Sequence, residues 1–180
     1  MSTLELKELS HPAGEVIKIA AGKTLDLKSQ GSVTMPTGSV LQVLSTTESV
    51  SYSTTTSDWS ARMTGLSATI TPSSTTSKIL VSVNTGLSFQ HNNTYGKMAI
   101  YRSISGGATT TNLTGEAGGF GNAGNGAYAF YVNADYLDSP SSVSAITYSV
   151  SFAFSAGGVG VVYAGANDAS STITLMEIQG

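Results

Sequence analysis

The chain has 180 residues, enough for one domain and an extension, with 40% hydrophobic but only 11% charged residues, 20 glycines and no cysteine. Its net charge of −3, with 8 basic residues scattered singly, gives no electrostatic footprint for nucleic acid, and the lack of thiols excludes disulfides and thiolate metal sites. Polarity therefore comes from hydroxyls and backbone groups, a surface that packs densely against protein because few charges must be desolvated.

The start, MSTLELKEL, carries Glu5 and Glu8 and has no apolar h-region, and the longest apolar stretch, near 159–166, is short and broken by glycine. Neither a secretory signal nor membrane insertion is expected, and the protein is expected to be made in a cytoplasm and stay soluble. Residues 1–14 place Leu4, Leu6 and Leu9 among acids and one lysine. The stretch is too short for a stable isolated helix and reads either as a docking segment that orders on a partner or as a frayed end.

Residues 15–43 contain a repeat. The apolar pairs Ile17/Ile19, Leu25/Leu27, Val33/Met35 and Leu41/Val43 are each spaced i, i+2, and each begins eight residues after the last, with Gly14, Gly22, Gly31 and Gly38 between or just before them. The unit is a glycine turn followed by a two-tooth strand. Ordering eight residues costs roughly 8–16 kcal/mol, while burying two aliphatic side chains returns about 3–6 kcal/mol. One chain cannot cover these teeth alone, which predicts a short intertwined shaft, most simply threefold; the alternative is an irregular arm lying along a partner or the main domain.

From residue 44 onward the chain reads as strands and turns. Val40–Thr46 and Glu48–Thr55 are strand material, and Leu66, Ala68 and Ile70 alternate into the turn cluster Pro72–Thr76. Ser77–Phe89 is the clearest strand, with Ile79, Val81, Val83, Leu87 and Phe89 on one face, Thr85 in the remaining slot, and Leu80 breaking the pattern on the other face. Gln90–Thr94 is a polar loop, and Lys97–Ile104 is a strand with Met98 and Ile100 on one face. Ser105–Gly126 is a long irregular segment rich in Gly, Thr and Asn. Ala127–Asn133 is a strand, and Leu137–Pro140 a turn. Ala145–Phe154 is a strand with Ile146, Tyr148, Val150, Phe152 and Phe154 on one face, and Gly157-Gly158 reverses the chain into Val159–Tyr163. The final strand, Ser171–Gln179, is apolar on both faces near its end (Ile173 and Leu175, then Met176 and Ile178), which predicts a central position or a subunit contact. The expected fold class is all-β, a jelly-roll-like antiparallel β-sandwich head over 44–180 preceded by the repeat.

Three stretches carry a resemblance: GLSATITPSSTTSKILVSVN (Gly65–Asn84), the YLDSP turn (Tyr136–Pro140) before ITYSVSF, and the closing STITLMEIQ (Ser171–Gln179). They resemble a β-domain of virion proteins in tailed bacteriophages, especially those of cyanobacteria and marine bacteria, and the leader LSHPAGEVIKIAAGKTLDL (Leu9–Leu27) resembles the front ends of such proteins. The resemblance implies a trimeric, non-enzymatic appendage in the virion, assembled in the host cytoplasm: a short fibre or a decoration on head or tail. Its partners would be its own copies (a homotrimer), other virion proteins through the N-terminal segment, and a host-surface glycan or protein. A stand-alone carbohydrate-binding module is the alternative from another class.

Catalytic furniture is not found. Gly119–Gly124 fits G-x-G-x-x-G, but a glycine-rich loop precedes it and a strand follows, so no cofactor is expected. His11 and His91 have no partners at metal or acid–base spacing. Asp135 and Asp138 read as turn residues around Pro140 rather than a glycosidase pair, no serine sits in a nucleophile elbow, and Asn167-Asp168 lacks a calcium ladder. The candidates for receptor or partner contact are loop residues: Trp59, His91, Asn92, Asn93, Tyr95, Phe120, Asn122 and Asn125. Their aromatic faces can stack on a sugar or another protein, although core or subunit packing is the default reading for Trp59, Tyr95 and Phe120.

Overall fold

The computed structural model describes residues 21–22, 35–54, 62–90, 96–105, 111–114, 127–154, 161–164 and 170–180. The chain divides into two compact units, Met1–Thr34 and Met35–Gly180, and the described strands all lie in the second: β1 (Val40–Glu48), β2 (Tyr52–Thr54), β3 (Arg62–Ile70), β4 (Lys78–Gln90), β5 (Gly96–Ile104), β6 (Thr111–Asn112), β7 (Ala127–Asp138), β8 (Ile146–Phe154), β9 (Val161–Ala164) and β10 (Ser171–Ile178). No described residue is helical, and among the described residues no helix is long and apolar enough to cross a membrane.

These strands build two antiparallel sheets. The 13-residue β4 is the spine of the larger one. On one flank β7 pairs with it along its whole length, from Ile79 opposite Asp138 to Gln90 opposite Ala127. On the other flank β10 covers its first half and β9 its second, with β1 and β2 outside them. The smaller sheet runs β3-β8-β5-β6. Period-two alternation sends one face of each strand inward. Ile79, Val81, Val83, Val132, Ile173 and Leu175 of the larger sheet meet Leu66, Ile70, Met98, Ile100, Ile146, Tyr148, Val150 and Phe152 of the smaller. Each fully buried aliphatic or aromatic side chain here contributes about 1.5–3 kcal/mol. This is the expected all-β sandwich, and β10 is central within its sheet, between β1 and β4.

Thr85, which interrupts the apolar series of β4, is fully buried, and its hydroxyl lies 2.8 Å from that of Ser171, also fully buried on the neighbouring strand. The two hydroxyls satisfy each other, so the slot tolerates a polar side chain at little cost.

Three expectations are corrected. The last pair of the repeat, Leu41 and Val43, belongs to β1 and is hydrogen-bonded into the sandwich through β10 rather than to a shaft; a register shift between Val40 and Gln42 leaves Leu41 at a bulge. The local grammar of that repeat does hold at this end. Gly38 has φ +88°, and Ser39 N–H donates to Pro36 C=O at 3.0 Å. That is a turn with glycine at the left-handed position, opening directly into a strand. Asp135 and Asp138 are not turn residues: β7 continues to Asp138, because its pairing with β4 persists to Ile79. Finally, the segment expected to be irregular between Ser105 and Gly126 contains the short strand β6, paired with Tyr101 and Arg102 of β5.

Candidate functional site

The loop candidates Trp59, His91, Asn92, Asn93, Tyr95, Phe120, Asn122 and Asn125 lie outside the described residues. So do His11, the glycine-rich motif at 119–124, Asn167-Asp168, the docking leucines Leu4, Leu6 and Leu9, and the shaft residues Ile17, Ile19, Leu25, Leu27 and Val33. Met35 is described and is 41% exposed, just ahead of the Gly38 turn. Among the described residues no group of acids and histidines could hold a metal.

What the fold does assemble is the outer face of the larger sheet, where β1, β10, β4 and β7 lie side by side. Their registers align side chains into rows that run across the strands. One row is Thr47, Thr172, Asn84 and Asn133, and the next is Ser45, Thr174, Ser82 and Asp135. The third is Val43, Met176, Leu80 and Leu137, apolar across all four strands. The fourth begins Val40, Ile178 and Lys78. Val40, Val43 and Leu137 are each half or more exposed, and Leu80, Met176 and Ile178 are half-buried. None of the four residues of the apolar row belongs to the buried core between the sheets, and contiguous apolar surface outside a core is the kind of feature that interaction sites use.

The polar rows are tied together. Ser45 and Thr174 hydroxyls are 3.1 Å apart, those of Thr47 and Thr172 3.3 Å, and the Asn84 amide donates to Asn133 Oδ1 at 2.6 Å. Cross-strand pairs of this type contribute roughly 0.2–1 kcal/mol each. Among the described residues of this face only Lys78 and Asp135 carry charge, and neither has an ion-pair partner among the described residues.

Two buried carboxylates fix the face from behind. Glu177, 1% exposed on the inward side of β10, accepts hydrogen bonds from Ser73 N–H and Ser73 Oγ, both at 2.7 Å, and from Gln42 Nε2 at 2.6 Å. Burial alone would push its carboxyl up, but the donated hydrogen bonds outweigh it and hold the carboxyl below the usual carboxylate range. The group thus locks β1 and the turn before β4 onto β10. Asp138, at the end of β7, reaches across to the smaller sheet. Its oxygens accept from Arg102 Nη1 of β5 at 2.7 and 2.9 Å, and Oδ2 accepts from the Tyr148 hydroxyl of β8 at 2.7 Å. Arg102 and Tyr148 are cross-strand partners, so one carboxylate ties three strands of two sheets. Burial pushes the Tyr148 hydroxyl far up, and its hydrogen bond to the Asp138 carboxylate pushes it further.

The sequence places Val43 as a shaft tooth, whereas pairing with β10 sets it in this row, which spacing alone does not assemble. The signals were present: Leu80 breaks the alternation of β4, Met176 and Ile178 make β10 apolar on both faces, and Leu137 stands apart in YLDSP. Only the registers show that these exceptions share one row and its neighbour.

No protein-family model matches the chain, and no curated protein matches it. Among solved structures it is similar to the infectious bursal disease virus Gx strain, with a TM-score of 0.45 and 17% identity over 88% of this chain and 36% of that one. It is also similar to the Gt strain of that virus (TM-score 0.39, 17% identity, 88% of this chain and 42% of that one) and to a VP2 subviral particle of infectious bursal disease virus (TM-score 0.39, 14% identity, 87% and 42%). The chain spans about two fifths of the length of these structures.

Proposed function

We infer that the chain is a non-enzymatic structural protein of a virion: a short fibre or decoration protein on tail or capsid, trimeric through its N-terminal repeat, anchored by that end, with the sandwich outward for host adhesion or capsid reinforcement. The observation that carries this reading is the outer face of the larger sheet, an apolar row beside hydrogen-bonded hydroxyl and amide rows with two charges. Such a face suits packing against protein. It is supported by three of the sequence stretches that resemble tailed-bacteriophage virion proteins, those that fall in β3, β4, β7, β8 and β10, strands that contribute to the core or to this face. Imaging of intact particles tests it: density for this chain on the virion supports the reading, and its absence from purified particles overturns it.

A second reading, a stand-alone carbohydrate-binding module, has one observation in its favour. Tyr131 is 65% exposed on β7 opposite Gly86, two residues from Asn133 and its amide pair with Asn84. An open aromatic ring beside amides is the chemistry of sugar stacking. A monomer in solution that retains glycan binding would favour this module.

A further inference from the structure

We propose that the outer face of the larger sheet is a twofold contact between two copies of this chain, laid face to face along the row Val43, Met176, Leu80 and Leu137. Charge is distributed unevenly about that row. On one side lies Lys78 in β4, next to Ile178. On the other side lies Asp135 in β7, opposite Ser82. Within one molecule the two are far apart: Lys78 and Ser82 are four residues apart along β4, about 13 Å. A twofold axis along the apolar row exchanges the two flanking rows. It sets each Val, Met or Leu of the row on its own counterpart and brings Lys78 of each copy over Ser82 of the other, one strand from Asp135. Both charges on the face are thereby matched, twice per dimer, and the apolar row is covered by itself. A face that is self-complementary in charge and apolar pattern fits a second copy better than an unrelated partner.

Size sets the strength. Four strands spaced about 4.8 Å apart, overlapping for about six residues each, cover roughly 400 Å² per copy, or some 800 Å² in all, below the range of about 1,200–2,000 Å² for stable interfaces and within the weak, transient class. The contact is weak between free molecules and strengthens where several copies are held in one array, as linked sites reinforce one another. It is separate from the association expected of the N-terminal repeat and joins one such assembly to the next.

Sedimentation of the full chain over a rising concentration series tests this. The mass plateau at low concentration reports the N-terminal association, and the climb above it reports the sheet contact, so each can fail without the other. Lys78→Glu and Asp135→Lys each move the climb to higher concentration by on the order of tenfold, and the double exchange restores it. Because the chain has no cysteine, Leu80→Cys gives a single thiol on the axis. A short bis-maleimide links it to its own counterpart, whereas Tyr131→Cys, off the axis, links far less. A wild-type mass that never climbs, a double exchange no better than the single changes, or equal linking at 80 and 131 overturns the proposal.

Discussion

Replacing Asp138 by alanine is the most informative single change to the sandwich. It removes an acceptor that is 4% exposed and leaves the Arg102 guanidinium and Tyr148 hydroxyl without their shared partner. Breaking a buried ion pair by deleting one member costs about 3–5 kcal/mol. The Arg102 side chain is 20% exposed and can recover some hydration, which places the loss near the lower bound, about 3 kcal/mol. In a domain of this size that lowers the melting temperature by roughly 6–12 °C. Urea unfolding followed by circular dichroism, with calorimetry alongside, measures it. Exchanging both Arg102 and Asp138 for leucine removes the charges together and is expected to cost less than the single change, because the Tyr148 hydroxyl alone, and no charge, is left without its partner. A loss below 1 kcal/mol for Asp138→Ala, or a double variant as unstable as the single one, would refute the view that this carboxylate ties the sheets together.

Glu177, held low in the folded state, binds its proton less tightly there than when unfolded. Its stabilisation is therefore present above the ordinary glutamate value of about 4.3 and lost as pH falls through the folded value. Glu177→Gln should flatten that acid limb in a pH series of unfolding free energies, and an unchanged limb counts against it. Tyr148 has the opposite sense. Its raised value means the folded state keeps the hydroxyl proton that the unfolded chain releases, so stability is full below about pH 10 and falls above it, by up to about 1.4 kcal/mol per pH unit. Tyr148→Phe should remove that alkaline slope, and an identical slope would contradict it. Gly38→Ala meets no atom within 4 Å but must hold φ +88°, so a loss of about 1–2 kcal/mol from backbone strain alone is expected. A neutral result in thermal melts would show that this turn relaxes freely.

Much of the sandwich was legible because alternation is a direct imprint of burial. Ile79, Val81 and Val83 in β4, and Ile146, Tyr148, Val150 and Phe152 in β8, were assigned their inward face from spacing alone and are buried there. Thr85 was legible as a gap in the pattern but not as a paired hydroxyl, since Ser171 is remote in sequence. Asp138 was misread because a carboxylate before Ser-Pro signals a turn. Its parity with Val132, Ala134 and Tyr136 pointed inward, and the compensating Arg102 lies two strands away in another sheet. The outer apolar row was invisible for a similar reason. Each of its members looks like an isolated exception, and register, which sequence does not state, makes them neighbours. Leu41 and Val43 continued the eight-residue spacing of the repeat, yet pairing with β10 claims them for the sandwich. Spacing reports which residues need cover, not who supplies it.

The central claim, a particle-bound protein that associates through its N-terminal repeat, is tested most directly by solution mass at micromolar concentration, below the range of the sheet contact. The full chain should sediment at three times the 18.4 kDa protomer mass, and removal of residues 1–34, the whole of the first unit, should reduce it to a single folded sandwich. A full-length protein that is monomeric, or a truncated one that keeps the full-length stoichiometry, would contradict it.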